Sequence, residues 1–212
     1  MEHMENAETL VLGTTNAGKL RELAELLAPL GIPCRSLEGL AAVQVEETGS
    51  SFAENAALKA SQQARALGHW VLAEDSGLVV DALGGAPGIY SARFSGAEAT
   101  DARNNALLLE RLASHPKSAR GAHYACHAAL SDPAGAIVAV SSGVCCGVIA
   151  DRLHGAGGFG YDPLFIVPEY HRTFGELAPA VKAVISHRAR AMRAIIPAIV
   201  RCLRPRHRPA AG

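Results

Sequence analysis

The feature that most restricts the fold of this chain is a pair of long apolar segments near its middle, Gly121 to Ser131 and Ala136 to Ile149. Only Asp132-Pro133-Ala134-Gly135 separates them, and that is turn chemistry: Asp bonds nearby backbone, Pro presets φ and Gly tolerates positive φ. Two such segments on so short a connection predict an antiparallel hairpin. The flanking sequence alternates strand-like and helix-like stretches. Thr9 to Thr14 (TLVLGT) is a short apolar run ending in a Gly turn, the signature of a buried strand. From Leu20 the period changes. Leu20, Leu23, Leu26, Leu27 and Leu30 fall at helical spacing, and Gly31 closes the segment. Ser51-Phe52-Ala53-Glu54 is a capping box that opens a helix running to Gly68. His69 to Glu74 predicts another strand, and Thr100 caps a helix containing Leu107, Leu108, Leu109 and Leu112. After the hairpin come a Gly-rich loop (Gly155 to Gly160), a short strand (Pro163 to Val167) and a last helix. That helix is capped by Ser186 and carries Met192, Ile195, Ile196, Ile199 and Leu203, with a kink expected at Pro197. The Arg/Pro/Ala tail from Arg204 is expected to fray. Alternation of helices and strands around a hairpin predicts an α/β fold with a mixed sheet, not a purely parallel one.

The chain's 212 residues predict one domain over 1–212. Its 20 basic and 20 acidic residues cancel, which argues against broad adhesion to nucleic acid or to a membrane surface. No basic, apolar leader opens the sequence, and no apolar run approaches the roughly 18 residues of a membrane span. The five cysteines (Cys34, Cys126, Cys145, Cys146 and Cys202) contain no C-x-x-C pair and are an odd number. They are expected to be buried thiols of a cytoplasmic protein.

Four clusters carry chemistry. In Gly13-Thr14-Thr15-Asn16-Ala17-Gly18-Lys19 a strand turns into a helix, and its backbone N–H groups and the Lys19 ammonium suit a phosphate. The spacing matches the start of a Walker A loop, but Leu20 stands where that motif needs Ser or Thr for magnesium. An ordinary strand–helix turn is the competing reading. The second cluster is acidic: Glu46-Glu47-Thr48-Gly49, and Glu74-Asp75-Ser76-Gly77, which is expected to end the apolar strand. Carboxylates are the hard oxygen ligands magnesium prefers, and charge beside an apolar strand is costly unless paired or metal-bound. The third runs from Gly84 to Arg93, where Arg93 is either a surface charge or a phosphate clamp. The fourth combines Phe159-Gly160-Tyr161-Asp162 with Lys182 and Ser186-His187-Arg188: aromatics that can stack a base, beside donors and acceptors for its edge.

On these residues the chain resembles the inosine/xanthosine triphosphate pyrophosphatase family. The matching segments are TTNAGK (Thr14 to Lys19), EETGSSFAENAALKA (Glu46 to Ala60), AEDSGLVVDALGGAPGIYSARFSG (Ala73 to Gly96), GGFGYDPLF (Gly157 to Phe165) and SHRARAM (Ser186 to Met192). The resemblance implies two lobes flanking a central cleft, a homodimer, magnesium dependence, and cleavage of ITP, dITP, XTP or dXTP to a monophosphate and pyrophosphate. Thr14, Thr15, Asn16, Ala17, Gly18 and Lys19 would hold the triphosphate. Asp75 would accept a proton and bind magnesium, with Glu46 as the first choice of second metal residue and Glu47 the near alternative. Ser76 would touch substrate, Arg93 would lie near the phosphates, and Phe159, Gly160, Tyr161, Asp162, Lys182, His187 and Arg188 would form the nucleotide pocket. A donor at the 6-oxo edge, Arg188 or a backbone N–H, would favour oxidised purines over ATP. Two positions depart from the family pattern: Glu74 stands where many members have Asp, and Pro179-Ala180-Val181 is apolar where members often carry acids.

Overall fold

The computed structural model describes residues 9–203; the tail from Arg204 lies outside them. Seven strands form one mixed sheet. In chain order the elements are β1 (Leu10–Leu12), α1 (Ala17–Leu27), β2 (Cys34–Arg35), α2 (Phe52–Leu67), β3 (Trp70–Val80), α3 (Asp101–Arg111), β4 (Gly121–Ser131), β5 (Ile137–Ile149), β6 (Phe165–Val167), β7 (Arg172–Thr173), α4 (Pro179–Ile185) and α5 (His187–Leu203). The sheet order is β2-β1-β3-β4-β5-β6-β7, with β1 parallel to β2 and β3 and every later pairing antiparallel. Among the described residues no helix is long and apolar enough to cross a membrane.

The local signals act where the sequence put them. Asn16 caps α1, its Oδ1 accepting from Lys19 N at 3.0 Å. Ser51 Oγ accepts from Glu54 N at 3.2 Å, while the Glu54 carboxylate takes Ser50 N at 2.7 Å, so the reciprocal half of the box falls one residue early. Thr100 caps α3, and Ser186 Oγ accepts from Ala189 N at 3.1 Å in the first turn of α5. That helix continues through Pro197. The hairpin turn is fastened by Asp132 Oδ1, which accepts from Ala134 N and Ala136 N.

Three expectations need correction. The strand expected to stop at Glu74 continues to Val80, because β4 pairs with it from Val71↔Ser131 through to Val80↔Ala122. Glu74 and Asp75 are therefore mid-strand, and a strand covered on both faces shows no apolar alternation to mark its end. β2, β7 and α4 were not foreseen; the two strands have two residues each, too few to show a period. Nor are all the thiols buried: Cys126 and Cys145 are, but Cys146 is exposed on the outer face of β5.

Successive β3 residues face opposite layers. Leu72 packs with Leu10 and Leu12 of β1, Leu23 and Leu27 of α1, and Met192, Ile195 and Ile199 of α5. Val71 and Ala73 pack against Ala56, Ala60 and Ala64 of α2, whose small side chains let helix and sheet approach closely. A third cluster joins Leu78 and Val80 to Leu108, Tyr124, Ile149, Phe165 and Phe174. Each fully buried leucine contributes roughly 1.5–3 kcal/mol. On the α5 side the contact is backbone to backbone. A Cβ on Gly143 of β5 would sit 2.5 Å from Ala191 N and 2.8 Å from Arg190 Cβ, and Ser141 Oγ donates to Ala191 O at 2.8 Å.

Strand length creates the functional feature. β1 has three residues and β3 has eleven. The two pair only at Trp70–Leu72, so beyond Leu72 that edge of β3 has no strand neighbour until the bridge from Val79 to Pro87. A cavity of about 850 Å³ opens there.

Candidate active site

The cavity gathers residues from across the chain. Thr14, Thr15, Asn16 and Lys19 line it from the β1–α1 turn, Glu46 and Glu47 from the loop before α2, Asp75 and Ser76 from β3, and Arg93 from the turn beyond β3. Phe159, Gly160, Tyr161 and Asp162, Lys182 of α4, and His187 and Arg188 of α5 complete the wall. Of the expected site residues, Ala17 and Gly18 do not line it. Gly18 serves another purpose: a Cβ there would lie 2.6 Å from Phe159 Cδ1, so its lack of a side chain seats that ring.

At the acidic end Lys59 bridges two carboxylates. Its Nζ lies 2.9 Å from Asp75 Oδ1 and 2.8 Å from Glu47 Oε1. Asp75 Oδ2 accepts from Asn55 Nδ2 at 3.3 Å, and Glu47 Oε2 accepts from Arg93 NH1 at 3.1 Å. Burial pushes the Asp75 carboxyl above its ordinary value, opposed by Lys59. Burial would also raise Glu47, but Lys59 and Arg93 outweigh it and hold Glu47 low. Burial disfavours the Lys59 ammonium, yet Asp75 and Glu47 prevail and raise its pKa. It is Glu47, rather than Glu46, that shares a cation with Asp75.

The opposite end holds a buried ionic network. Arg188 donates from Nε to Glu74 Oε1 at 3.0 Å, from NH2 to Ser76 Oγ at 3.0 Å, and from NH1 to Glu22. Lys182 Nζ contacts Asp162 and lies 2.7 Å from Glu22 Oε1; Lys19 Nζ lies 3.4 Å from Glu74. Three carboxylates thus face three cations, which is how full charges survive burial. Burial alone would raise the Glu74 carboxyl, but Arg188, Lys19 and Lys59 hold it well below the carboxylate range. The long acidic arm noted in the sequence is therefore an ion-pair partner of Arg188 beneath the cavity floor. Arg188, 1% exposed, has all three nitrogens engaged, which leaves at most two N–H groups for a ligand. Above the network the Phe159 ring lies 4.8 Å from Lys182 Nζ and 5.6 Å from Arg188 Cζ.

The Gly loop is pinned by its neighbours. Gly160 N donates to Asp101 Oδ2 at 2.7 Å, and its carbonyl accepts from Asn105 Nδ2 at 2.9 Å. Asp162 Oδ2 accepts from Phe159 N at 2.9 Å, and Tyr161 OH donates to Ser91 O at 2.9 Å. The Tyr161 ring, 3% exposed, is an anchor more than a free stacking face. His187 stacks on Tyr124 with centroids 4.6 Å apart. Its Nδ1 is buried without a hydrogen-bond partner, and burial, then Arg188, keeps the ring neutral.

Sequence reasoning overlooked Lys59, Asn55, Glu22 and Asp101. A signal existed for three of them. Asn55 and Lys59 are four apart on α2, and Glu22 is three beyond Lys19 on α1, so each pair shares a helix face. What spacing could not show is which layer those faces meet.

Asp75 and Glu47 offer hard carboxylate oxygens close enough to share one ammonium, and magnesium characteristically takes one or two carboxylates, completing its shell with waters and substrate phosphates. Among the described residues no three His, Cys, Asp or Glu side chains form a cage of their own.

A mixed seven-stranded sheet in which the short strand β1 leaves an edge of β3 bare, opening a charged cleft, defines an α/β protein with a nucleotide-sized site at that edge. The family model described as Ham1 family matches residues 10–198, and the chain belongs to that family. It is 52% identical over 193 residues to the dITP/XTP pyrophosphatase of Rhodopirellula baltica, covering 91% of this chain and 93% of that relative. It is 50% identical over 184 residues to the dITP/XTP pyrophosphatase of Geobacillus kaustophilus, covering 86% and 90%. Among solved structures, a HAM1 protein from Coxiella burnetii superposes with a TM-score of 0.83 at 40% identity, covering 92% of this chain and all of the other.

Proposed function

We propose that the chain is a magnesium-dependent hydrolase that cleaves deaminated purine nucleoside triphosphates (ITP, dITP, XTP and dXTP) to the monophosphate and pyrophosphate. The observation that carries this reading is the meeting of Lys19, Asp75 and Arg188, far apart in sequence, around one cavity large enough for a nucleotide. The names of the curated relatives support it.

In this reading the Asn16-capped start of α1 and Lys19 take the triphosphate, using the backbone N–H groups of the β1–α1 turn and a full positive charge. Asp75 and Glu47 would hold magnesium, which when bound neutralises phosphate charge; Glu47 is preferred to Glu46 because it already shares Lys59 with Asp75. Asp75 orients water and accepts its proton. Burial raises its pKa in the metal-free chain, but a carboxylate that also binds magnesium is a weak base, so positioning of the water and charge stabilisation supply much of the rate. Lys59 and Arg93 offset charge on the leaving pyrophosphate. The Phe159 ring and the cations behind it receive the base. An oxo group suits the remaining Arg188 donors, whereas an amine would leave them unpaired. The chain acts as one domain whose two lobes flank the cleft. It also works as a cytoplasmic homodimer; Val138, Val140 and Val144, exposed along β5, are the support for a second copy.

A panel of nucleoside triphosphates assayed with and without Mg²⁺ tests the reading. Pyrophosphate release from ITP and XTP, at least about 100-fold faster than from ATP, is expected. Orthophosphate as the first product, or equal turnover of ATP, refutes it. A monomer by light scattering at micromolar concentration refutes the pairing.

A further inference from the structure

At the acidic end every carboxylate oxygen of the proposed metal pair is already occupied by the chain's own donors. Asp75 Oδ1 and Glu47 Oε1 share Lys59, Asp75 Oδ2 takes Asn55, and Glu47 Oε2 takes Arg93. Two negative charges face two positive ones, so the pair is neutralised without a metal. A divalent cation approaching it meets two fixed cations and must break ion pairs before it can bind. The two cations differ in freedom. The Lys59 side chain is 14% exposed and Arg93 45%. Arg93 therefore leaves at little desolvation cost, and Lys59 sits on a four-carbon stem able to swing.

We propose that Lys59 and Arg93 are internal counter-ions that keep Glu47 and Asp75 closed to metal until a triphosphate draws them away, so that metal and nucleotide load together. The exchange conserves charge: the polyanion takes the two cations, and the vacated carboxylates take the divalent ion. Coupling of this kind is reciprocal, so metal tightens nucleotide by the factor that nucleotide tightens metal. It also keeps the cleft from filling with metal alone. The inference rests on the metal reading of Asp75 and Glu47 given above.

Mn²⁺ binding to the whole protein, followed by electron paramagnetic resonance, tests it without any turnover. The states compared are Mn²⁺ alone and Mn²⁺ with the uncleavable α,β-methylene analogue of ITP, for the wild type, Lys59→Met and Arg93→Gln. In the wild type the analogue is expected to tighten Mn²⁺ by at least about 10-fold. In Lys59→Met, Mn²⁺ alone is expected to bind at least about 10-fold tighter than in the wild type, a shift of about 1.4 kcal/mol, and the analogue adds correspondingly less. Arg93→Gln is expected to tighten Mn²⁺ alone about threefold. A merely structural role for Lys59 would weaken metal binding, so a gain is diagnostic. Should Lys59→Met not fold by circular dichroism, the half-exposed Arg93→Gln decides. Nucleotide-free affinities that are equal to or weaker than wild type overturn the counter-ion role while leaving the metal site standing. Absence of Mn²⁺ binding in every state overturns both.

Discussion

Gly143→Ala is expected to damage the site from outside it. The added methyl would lie 2.5 Å from Ala191 N and 2.8 Å from Arg190 Cβ, and it would also press on the His187 carbonyl. Ordinary contacts lie near 3.5–4.0 Å, so α5 must retreat from β5 by roughly 1 Å. Two of the obstacles are helix backbone, which cannot rotate aside as a side chain can. Overpacking costs about 1–3 kcal/mol, and retreat also stretches the bond from Ser141 Oγ to Ala191 O, worth about 1 kcal/mol. The sum is about 3 kcal/mol. At roughly 2–4 °C per kcal/mol for a chain of 212 residues, Tm falls by about 6–12 °C. The same retreat carries Arg188 away from Glu74 and Ser76, both now at 3.0 Å, and a misplacement of about 1 Å can cost on the order of 100-fold in rate. Differential scanning calorimetry and ITP turnover read the two effects, with Ser142→Ala on the exposed face as the control. A Tm within about 2 °C of wild type and turnover within about twofold would refute the close-contact reasoning.

Other perturbations follow from the same geometry. Asp75→Asn keeps the shape but removes the charge, and kcat at saturating ITP should fall at least about 100-fold, about 2.7 kcal/mol; near-normal pyrophosphate release would remove Asp75 from the proton-accepting role. Glu74→Gln leaves Arg188 buried with only Glu22 as a charged partner, and urea unfolding at pH 7 should show a loss of about 3 kcal/mol, the lower end for a broken buried pair. Because the folded Glu74 carboxyl is held below its free value of 4.5, its contribution is complete well above that pH and is lost progressively as pH falls from about 4.5 toward the folded value. The wild type should therefore lose more stability than Glu74→Gln in moving from pH 7 to 4, and parallel losses would contradict the pairing. His187, buried beside Arg188, should show no protonation by NMR at pH 6.5, where a free histidine is half protonated. Its folded pKa lies below the unfolded one, so it adds instability only as pH drops below about 6.5; a ring titrating normally would count against its burial.

How much of this could be read beforehand depended on whether a residue's role was local. Ser51, Thr100 and Ser186 announced their helices because a cap acts within one turn. The hairpin was plain because its turn and both strands are contiguous. The end of β3 was not, since what extends it is β4, some fifty residues on. Lys59 stayed hidden for a similar reason: on α2 it reads as a solvated charge, and only the α2–β3 packing turns it toward Asp75. Glu74 was noted as a departure, but that its partner would be Arg188, more than a hundred residues away, is a property of the fold. Glu46 and Glu47 differ by one position in a loop without period, so nothing local could rank them.

Glu74 and Asp75 are consecutive, yet one meets α5 and the other α2, on opposite sides of a strand whose flank was left bare. The two ends of the cleft are thus wired to odd and even positions of a single ribbon. Sliding that ribbon by one residue against β4 would exchange the carboxylates wholesale, presenting Glu74 to Lys59 and Asp75 to Arg188. Side chains around the cleft can be varied singly, but an inserted or deleted residue between Trp70 and Glu74 would rewrite both ends together. The chain's tolerance to length change should accordingly be lowest along this strand and greater in the turns on either side.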